Sequence, residues 1–408
     1  MAIPASLREE LSNRQFALLW GGQTVSQFGD GVISVTLPLL VLTMTRSGAD
    51  VGYVVAARLV PTVLLLLLGG VITDRTSRRL AMLLSDVSRS VIIAILGILG
   101  VLSQLTFSEV VVGAVLFGVF DALFYPASTA MLPEVIAPER LTSANSLSRL
   151  SGAISGSLVG PVAGGLIAST LGTSWSLILD AGTFVVSGYC LFRMKPTSRP
   201  TRSDGSVLSE VKAGLVFCRT RPWILWSILV AGLANAFIFA PSAVLLPLLF
   251  KRALHASNWM VGFGFGATGL GGLVGSVIML TLSPPRRRVL VMWVAWSGGA
   301  LCVVPFGLAP SPWLAILAAF FVGASLMIGN ILWASLMQSE VPRAMLGRVS
   351  SVDWMVSLGL SPLGVALAGV VAGIIGIRTT IVVPGAVIGL LAILTIGLVR
   401  SITGPDRK

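Results

Sequence analysis

Ionisable residues inside long apolar runs are the feature of this sequence most able to do chemistry. A charged side chain at the centre of a membrane helix costs about 3 kcal/mol on insertion scales, so such residues are functional candidates by default. Eight occur here: Asp30, Arg58, Asp86, Arg89, Asp121, Arg149, Asp180 and Asp353. Each is a candidate for binding a proton, a ligand or a charged partner.

Asp30 is the first candidate for proton coupling. It follows Gln23 and Gln27 at spacings of seven and three residues, which place all three on one face of a helix. Such a polar face is suited to lining a cavity, where a carboxylate can gain a proton on one side of a membrane and lose it on the other. The alternative is a static ion pair with Arg58, and that pair could itself be the switch.

Asp121 is the second candidate for proton or substrate binding, with Tyr125 one helical turn later. Its alternative is a structural ion pair with Arg149. Asp86 and Arg89 are three residues apart and can pair on one helix face, which favours a structural role.

Asp180 and Asp353 fall near the predicted ends of apolar runs, where we expect water to reach them. They rank below Asp30 and Asp121 as sites of proton binding.

Amides and aromatic rings replace acids in the second half of the chain. The predicted cavity residues are Asn235, Phe239, Asn330, Trp333 and Trp354. A lining of rings and a few amides suits amphipathic or aromatic ligands better than sugars.

Enzymatic chemistry finds little support. The single histidine, His255, has no carboxylate near it in sequence, and no phosphate-binding G-x-x-x-x-G-K-[ST] loop is present. Three cysteines at unrelated positions predict neither a disulfide framework nor a metal site. We therefore predict no enzyme activity and no cofactor, with an ion gradient as the energy source.

The elements that position these residues are membrane helices. Of the 408 residues, 55% are hydrophobic and only 11% are charged, and the mean hydropathy is +0.94. A span needs about 20 apolar residues. Twelve runs fit, near 16–43, 48–73, 79–104, 108–133, 142–170, 173–194, 222–250, 257–283, 288–309, 312–338, 346–374 and 376–400.

The positive charges predict the orientation. With a cytoplasmic N-terminus, 21 of the 28 Lys and Arg residues fall on the cytoplasmic side and four on the other. This asymmetry predicts that both termini are cytoplasmic, and it explains the net charge of +12 without nucleic-acid binding. The first apolar run is too long for a signal-peptide core, so we expect it to stay in the membrane uncleaved.

A long polar stretch divides the runs into six and six. We predict an N-terminal bundle over 1–195, a cytoplasmic linker over 196–221 and a C-terminal bundle over 222–408. Apolar residues at helical spacing over 207–218 predict a helix on the inner membrane surface, with a simple tether as the alternative. The two halves also carry similar turns, MLPEVIAPER and LMQSEVPRAM, as in transporters built from repeats.

Residues 70–79 read GVITDRTSRR, at the turn between spans 2 and 3. They match the G-x-x-x-D-R-x-x-R-R signature and so resemble the major facilitator superfamily. In that family the motif forms part of a cytoplasmic gate, which implies this role for Gly70, Asp74, Arg75 and Arg79. The alternative is a signal for topology alone.

Residues 156–165 in span 5 read GSLVGPVAGG. The glycines and proline, Gly156, Gly160, Pro161, Gly164 and Gly165, resemble the antiporter motif of drug and metabolite exporters. Small residues allow close helix contact and Pro161 removes a backbone hydrogen bond, so packing alone is the alternative explanation. Further segments such as FGD at 28–30 and LDAGTF at 179–184 resemble macrolide-efflux and enterobactin-exporter-like proteins.

Together these features predict an all-α membrane protein of twelve helices in two six-helix bundles. We expect a monomer in the cytoplasmic membrane that contacts the lipid bilayer and a small molecule. The predicted activity is export of an amphipathic drug, antibiotic or siderophore-like metabolite by proton antiport, through movement of the two halves. An importer or uniporter and a non-transporting membrane sensor or assembly protein are the alternatives.

Overall fold

The computed structural model describes residues 13–75, 77–137, 140–195, 214–282 and 285–398. Within these ranges, the side chains of 66–75, 130, 142–143, 343–344, 347, 351 and 397–398 are outside the description. All regular structure described is helical, and twelve helices are long and apolar enough to cross a membrane. The predicted number of spans and the all-helical class are therefore confirmed.

The helices alternate with short turns. Their bounds are α1 Arg14–Thr45, α2 Gly48–Arg75, α3 Arg78–Val101, α4 Phe107–Val135, α5 Leu141–Gly152 continuing through Ala153–Val159 and Gly160–Thr170, α6 Thr173–Arg193, α7 Pro222–Ala234 continuing through Asn235–Phe239, Ser242–Leu248 and Leu249–Ala253, α8 Asn258–Thr281, α9 Arg288–Leu308, α10 Pro312–Glu340, α11 Arg343–Gly359 continuing through Ser361–Ile375, and α12 Ile377–Leu398.

The chain divides into two compact units, Met1–Arg202 (unit 1) and Ser203–Lys408 (unit 2). In unit 1, α1 packs against α5 and α6, α2 against α4, and α3 against α4 and α6. A fully apolar cluster joins α1, α3, α4 and α6 at one end of the unit, through Phe16, Met82, Met131 and Leu191. In unit 2, α8 and α9 pack against α10, α9 against α12, and α7 against α11.

Glycines bring α1 and α5 into backbone contact. A Cβ added at Gly160 would lie 2.6 Å from the carbonyl oxygen of Phe28, and one at Gly164 would lie 2.6 Å from that of Val32. Gly31 meets the carbonyl oxygen of Gly156 in the same way. At Gly160 and Gly164 the motif in span 5 is therefore a helix contact in which no side chain larger than hydrogen fits without a backbone shift.

A widened turn precedes the proline of α5. Over Ala153–Val159 the helix takes π geometry, and the N–H of Gly160 donates to the carbonyl of Ser155, five residues earlier. Pro161 lacks an N–H and cannot continue the ordinary pattern. α7 has the same arrangement of a π segment before a proline, since Asn235–Phe239 precedes Pro241.

The predicted surface helix lies partly outside the described residues, which resume at 214. Residues 214–219 are helical, and a Cβ added at Gly214 would lie 2.4 Å from the carbonyl oxygen of Arg348. Cys218 is fully buried, and desolvation raises its thiol pKa to about 11. The described part of this segment thus packs against the start of α11.

Candidate functional site

An ion network joins four helices of unit 1. Asp121 of α4 accepts hydrogen bonds on one oxygen, Oδ2, from Nε and Nη2 of Arg58 of α2, at 3.1 and 2.9 Å. Its other oxygen, Oδ1, accepts from Nη1 of Arg89 of α3 at 3.0 Å. Asp30 of α1 adds a longer contact of 3.4 Å to Arg58 Nη2, and Asp86 pairs with Arg89 within α3.

Asp121 is therefore the centre of the network. The alternative partner suggested by the sequence, Arg149, is wrong, because both oxygens of Asp121 are occupied by Arg58 and Arg89. The side chain of Asp121 is 5% exposed and that of Arg89 is 2% exposed, whereas Asp30 is 35% exposed. The network thus extends from the buried Asp121 and Arg89 to one partly exposed carboxylate, that of Asp30.

Aromatic rings cover the two guanidiniums. The Cζ atom of Arg58 lies 4.2 Å from the centre of the Phe117 ring, and that of Arg89 lies 4.2 and 4.5 Å from the Phe124 and Phe184 rings. Ring faces attract cations and exclude water. These rings hold both arginines in one orientation and leave the carboxylates as the variable partners.

Asp180 of α6 lies beside this network and is fully buried. The expectation that water reaches it is wrong, because α6 packs its Asp180 face against Gly29 of α1, the residue before Asp30. Thr183 Oγ1 lies 3.2 Å from Asp180 Oδ1, while Oδ2 has no hydrogen-bond partner among the described residues. Asp180 is thus a buried carboxyl group that no cation of the described part of the chain contacts.

A polar pocket of about 380 Å³ lies in unit 1. It is lined by Phe16, Leu19, Trp20, Gln23, Gln27, Ser128, Thr129, Leu132, Asn145, Ser148, Arg149 and Gly152. Gln23 and Gln27 are among the lining residues, whereas Asp30, predicted on the same helix face, and Tyr125 are not. Trp20 Nε1 donates to Ser151 Oγ at 2.7 Å and fixes α1 against α5 beside this pocket.

An aromatic pocket of about 250 Å³ lies in unit 2. Four predicted cavity residues line it: Asn235, Phe239, Asn330 and Trp354. The ring of Trp296, which the sequence did not predict at this site, lines it as well. Trp296 Nε1 donates to Asn330 Oδ1 at 3.2 Å.

Trp333, also predicted to line the cavity, supports the wall instead. Its ring packs at 6.0 Å from Trp296 and 6.1 Å from Trp223, and its Nε1 donates to Asp353 Oδ2 at 2.9 Å. Ser357 Oγ donates to the other oxygen of Asp353 at 3.4 Å.

α7 and α11 are tied by Asn235. Its Nδ2 donates to the carbonyl of Ser357 and to Ser361 Oγ. Ser357 lies one helical turn after Asp353, and this spacing is the sequence signal that could have placed Ser357 in the cluster.

Of the predicted gate residues, Gly70, Asp74 and Arg75 have side chains outside the described set. Arg79, at the start of α3, donates to the carbonyls of Leu191 and Phe192 in the last turn of α6. The carbonyl of Leu191 also accepts from the N–H of Met194 at 3.2 Å, and Arg79 supplies further hydrogen bonds to this end of α6, where the helix's own N–H groups run out.

The acid in each repeated turn pairs with an arginine of the same unit. Arg78 Nη1 lies 2.6 Å from Glu134 Oε1 in unit 1, and Arg288 Nη2 lies 3.4 Å from Glu340 Oε1 in unit 2. Both pairs join the start of the third helix of a unit to the end of the fourth. The turn before α9 has no counterpart of Asp74, yet its Arg288 still has a carboxylate partner.

Characterised relatives are exporters. The chain is 29% identical over 383 residues to the multidrug efflux pump Tap of Mycolicibacterium fortuitum, a match that covers 90% of this chain and 91% of the relative. It is 27% identical over 384 residues to the enterobactin exporter EntS of Citrobacter koseri, covering 92% and 90%.

Solved structures share the fold at low identity. The nucleoside transporter NupG superposes with a TM-score of 0.73 at 15% identity, covering 94% of this chain and 99% of that structure. A D-xylose-proton symporter gives 0.72 at 17% identity, covering 95% and 97%.

The family is decided by a match along most of the sequence. The family model described as Major Facilitator Superfamily matches residues 19–358. It agrees with the twelve spans and with the motif at 70–79. These twelve apolar helices form a multi-pass protein of the inner membrane, and the chain is a transporter, not an enzyme, of the Major Facilitator Superfamily.

Proposed function

We propose that this chain exports a small amphipathic compound across the cytoplasmic membrane in exchange for protons. The observation that carries the proposal is the network around Asp121, in which three carboxyl groups, one of them partly exposed, face two guanidiniums. The termini are proposed to be cytoplasmic, in line with the distribution of Lys and Arg.

The charge balance favours bound protons. The network and the neighbouring Asp180 bring together four carboxyl groups, and among the described residues only Arg58 and Arg89 oppose them. With all six groups ionised, two negative charges would be uncompensated. Each uncompensated buried ion costs several kcal/mol, so protonation of a carboxyl group is the favourable way to neutralise the site.

Asp30 is the member best placed to exchange its proton. It is 35% exposed and has one long contact, whereas Asp121 and Asp86 are almost fully enclosed. Protonation of Asp30 would release its hold on Arg58, which keeps its two shorter bonds to Asp121. Proton binding would thus alter the tie between α1 and α2 without dismantling the network.

The α1–α5 contact would let such a change move a helix. Gly156, Gly160 and Gly164 seat α5 against the backbone of α1, and the π turn before Pro161 interrupts its regular hydrogen bonding. A closely packed helix with one irregular turn has a defined place to bend. This supports an antiporter role for the motif in span 5.

Export and cargo class are supported by two observations. Tap is named as a multidrug efflux pump and EntS as an enterobactin exporter, and both match nearly the whole chain. The unit 2 pocket combines the rings of Trp296, Phe239 and Trp354 with two amides, a lining that favours amphipathic or aromatic compounds.

The test is accumulation of antibiotics, dyes and siderophore-like compounds in pump-deficient cells. We compare wild type, Asp30→Asn and the matched variant Asp50→Asn, which removes an acid from the first turn of α2, each with and without a protonophore. We expect wild type and Asp50→Asn to lower accumulation of at least one compound. The protonophore and Asp30→Asn should each abolish that effect.

Other outcomes would identify the rivals. Higher accumulation with wild type would indicate import, and lowering that survives both the protonophore and Asp30→Asn would indicate uncoupled transport. The fold by itself sets no direction. Tight binding of a compound without any flux would favour the sensor or assembly alternative.

A further inference from the structure

We propose that the unit 1 pocket binds an acidic group of the cargo, a carboxylate, sulfonate or phosphate, through the guanidinium of Arg149. The proposal rests on the proposed transport function for the identity of its ligand as cargo. It assigns a binding role to a residue that the sequence had suggested only as a partner for Asp121.

Arg149 is an arginine of a membrane helix whose guanidinium has no neutralising partner among the described residues. The guanidinium forms no hydrogen bond or ion pair with any of them, and the side chain is exposed. Arg58 and Arg89, the other two arginines predicted within the spans of unit 1, are both paired with carboxylates. Because Asp121 is occupied by those two, the guanidinium of Arg149 is available to a ligand.

The pocket offers nothing that would compete with an anion. None of its lining residues, all within the described chain, is Asp or Glu. Its polar groups are hydroxyls and amides. The hydroxyls of Ser128 and Thr129 donate to carbonyls of their own helix, so the donors open to an oxyanion are Ser148 and the side-chain amides. Asn145 and Ser148 lie on the same helix as Arg149, and Gln23 and Gln27 line the pocket from α1.

One polar atom in the wall of the pocket lacks a hydrogen bond within the described structure. The Oε1 atom of Gln27 is buried against Gly152 and has no hydrogen-bond partner in the described structure. With its oxygen enclosed, Gln27 has only its amide N–H groups to offer a ligand in the pocket, which again favours a hydrogen-bond acceptor such as an oxyanion.

The apolar part of the lining sets the remaining character of the ligand. Phe16, Leu19, Trp20 and Leu132 line the pocket alongside the polar groups. At about 380 Å³ the pocket lies at the lower end of the range for small-molecule sites, about 300–1,000 Å³. This size suits one ring that carries an acidic substituent.

The test is binding of simple probes to the full-length protein in phosphatidylcholine nanodiscs, without a proton gradient. The probes are benzoate, benzenesulfonate and phenyl phosphate, with benzyl alcohol as the neutral match, titrated by saturation-transfer difference NMR. The variants are Arg149→Gln and Arg149→Lys. Arg193→Gln is the matched control, because Arg193 is an exposed arginine at the end of α6 outside the pocket.

We expect wild type to bind at least one anion more tightly than benzyl alcohol. Loss of a charge-assisted hydrogen bond should weaken that binding about 10-fold to 100-fold in Arg149→Gln. Arg149→Lys should fall between, because it keeps the charge and loses the planar fork. Arg193→Gln should bind as wild type does, and an unchanged melting temperature verifies folding of each variant.

Three results would overturn the inference: no anion binding at up to about 10 mM, equal binding by wild type and Arg149→Gln, or an equal loss in Arg193→Gln. Repeating the titration with phosphatidylglycerol in the nanodisc separates cargo from lipid. Displacement of the probe by that lipid would place a lipid headgroup on Arg149 and overturn the cargo assignment.

The inference and the proposed transport activity fail separately. Binding is measured without a proton gradient, so anion binding that depends on Arg149 stands even if Asp30→Asn leaves transport unchanged. Conversely, proton-coupled export of neutral compounds with no anion binding would leave the transport proposal and remove this one.

Discussion

Asp121 and Asp30 belong to one network, yet replacing each with Asn should have opposite consequences. Asp121 is 5% exposed and accepts three hydrogen bonds from two arginines, at 2.9 to 3.1 Å. Asp30 is 35% exposed and has a single 3.4 Å contact with Arg58. We therefore expect Asp121→Asn to damage stability and Asp30→Asn to damage proton coupling.

The stability lost in Asp121→Asn depends more on the hydrogen bonds that are broken than on the number of charges that remain. Asp121→Asn would balance the network formally, because Asp30 and Asp86 would then oppose Arg58 and Arg89 one to one. Arg58 would nevertheless lose its two charge-assisted bonds and keep only the long contact to Asp30. Breaking a buried ion pair costs about 3–5 kcal/mol, and since Asn still accepts a hydrogen bond we expect the lower end, about 3 kcal/mol.

By contrast, Asp30→Asn removes a partly solvated pair. Such pairs are worth about 0–1 kcal/mol, because water screens them and holding the side chains together costs entropy. At about 2–4 °C per kcal/mol for a unit of this size, the apparent melting temperature should fall by about 6–12 °C for Asp121→Asn and by less than about 4 °C for Asp30→Asn.

The assay is intrinsic tryptophan fluorescence during heating of purified protein in one detergent at one scan rate, with Asp50→Asn as the reference. Transport in the same variants is measured with and without a protonophore. An Asp30→Asn protein as destabilised as Asp121→Asn would refute the division of roles. So would an Asp121→Asn protein with wild-type stability, or an Asp30→Asn protein with protonophore-sensitive transport.

Three further predictions concern other parts of the molecule. Gly160→Ala should lower the free energy of unfolding by about 1–3 kcal/mol and reduce transport, because the added Cβ meets backbone atoms of α1. Gly182→Ala is the control and should be neutral, because no atom lies within 4 Å of its added Cβ. Thermal unfolding of both variants checks this, and equal effects would contradict it. The coupling energy between Arg288 and Glu340 in a double-mutant cycle should be below about 1 kcal/mol, since both are partly exposed; a value of several kcal/mol would contradict this. Cys218, with a pKa of about 11, should react slowly with maleimide at pH 7 in a variant whose other cysteines are serine, and its rate should rise about 10-fold per pH unit up to that pKa; fast labelling at pH 7 would contradict its burial.

Much of the fold could be predicted from the sequence because the bilayer simplifies the problem. A span must be about 20 apolar residues and must satisfy its own backbone, so the number of helices and their approximate limits follow from composition along the chain. The family followed from a local pattern, GVITDRTSRR, whose spacing needs no tertiary information. Helical periodicity alone put Gln23, Gln27 and Asp30 on one helix face, and the two glutamines line the unit 1 pocket.

The pairing of charges could not be predicted in this way. Six ionisable residues on α1, α2, α3, α4 and α5 allow several ion pairs, and their sequence positions do not say which helices touch. The structure selects Arg58 and Arg89 for Asp121 because α2 and α3 both pack against α4, and this choice leaves Arg149 alone in a pocket. Burial was equally a matter of packing, since Asp180 is enclosed by the contact of α6 with Gly29, which no local pattern reports.

The sequence by itself thus determined the number of helices, the membrane environment and the family, because these depend on hydrophobicity and short motifs along the chain. Only the tertiary structure decided which carboxylate is enclosed, which is accessible and which arginine is free. The energy of a charge depends on the groups within a few ångströms of it, and residues distant in sequence supply most of those groups.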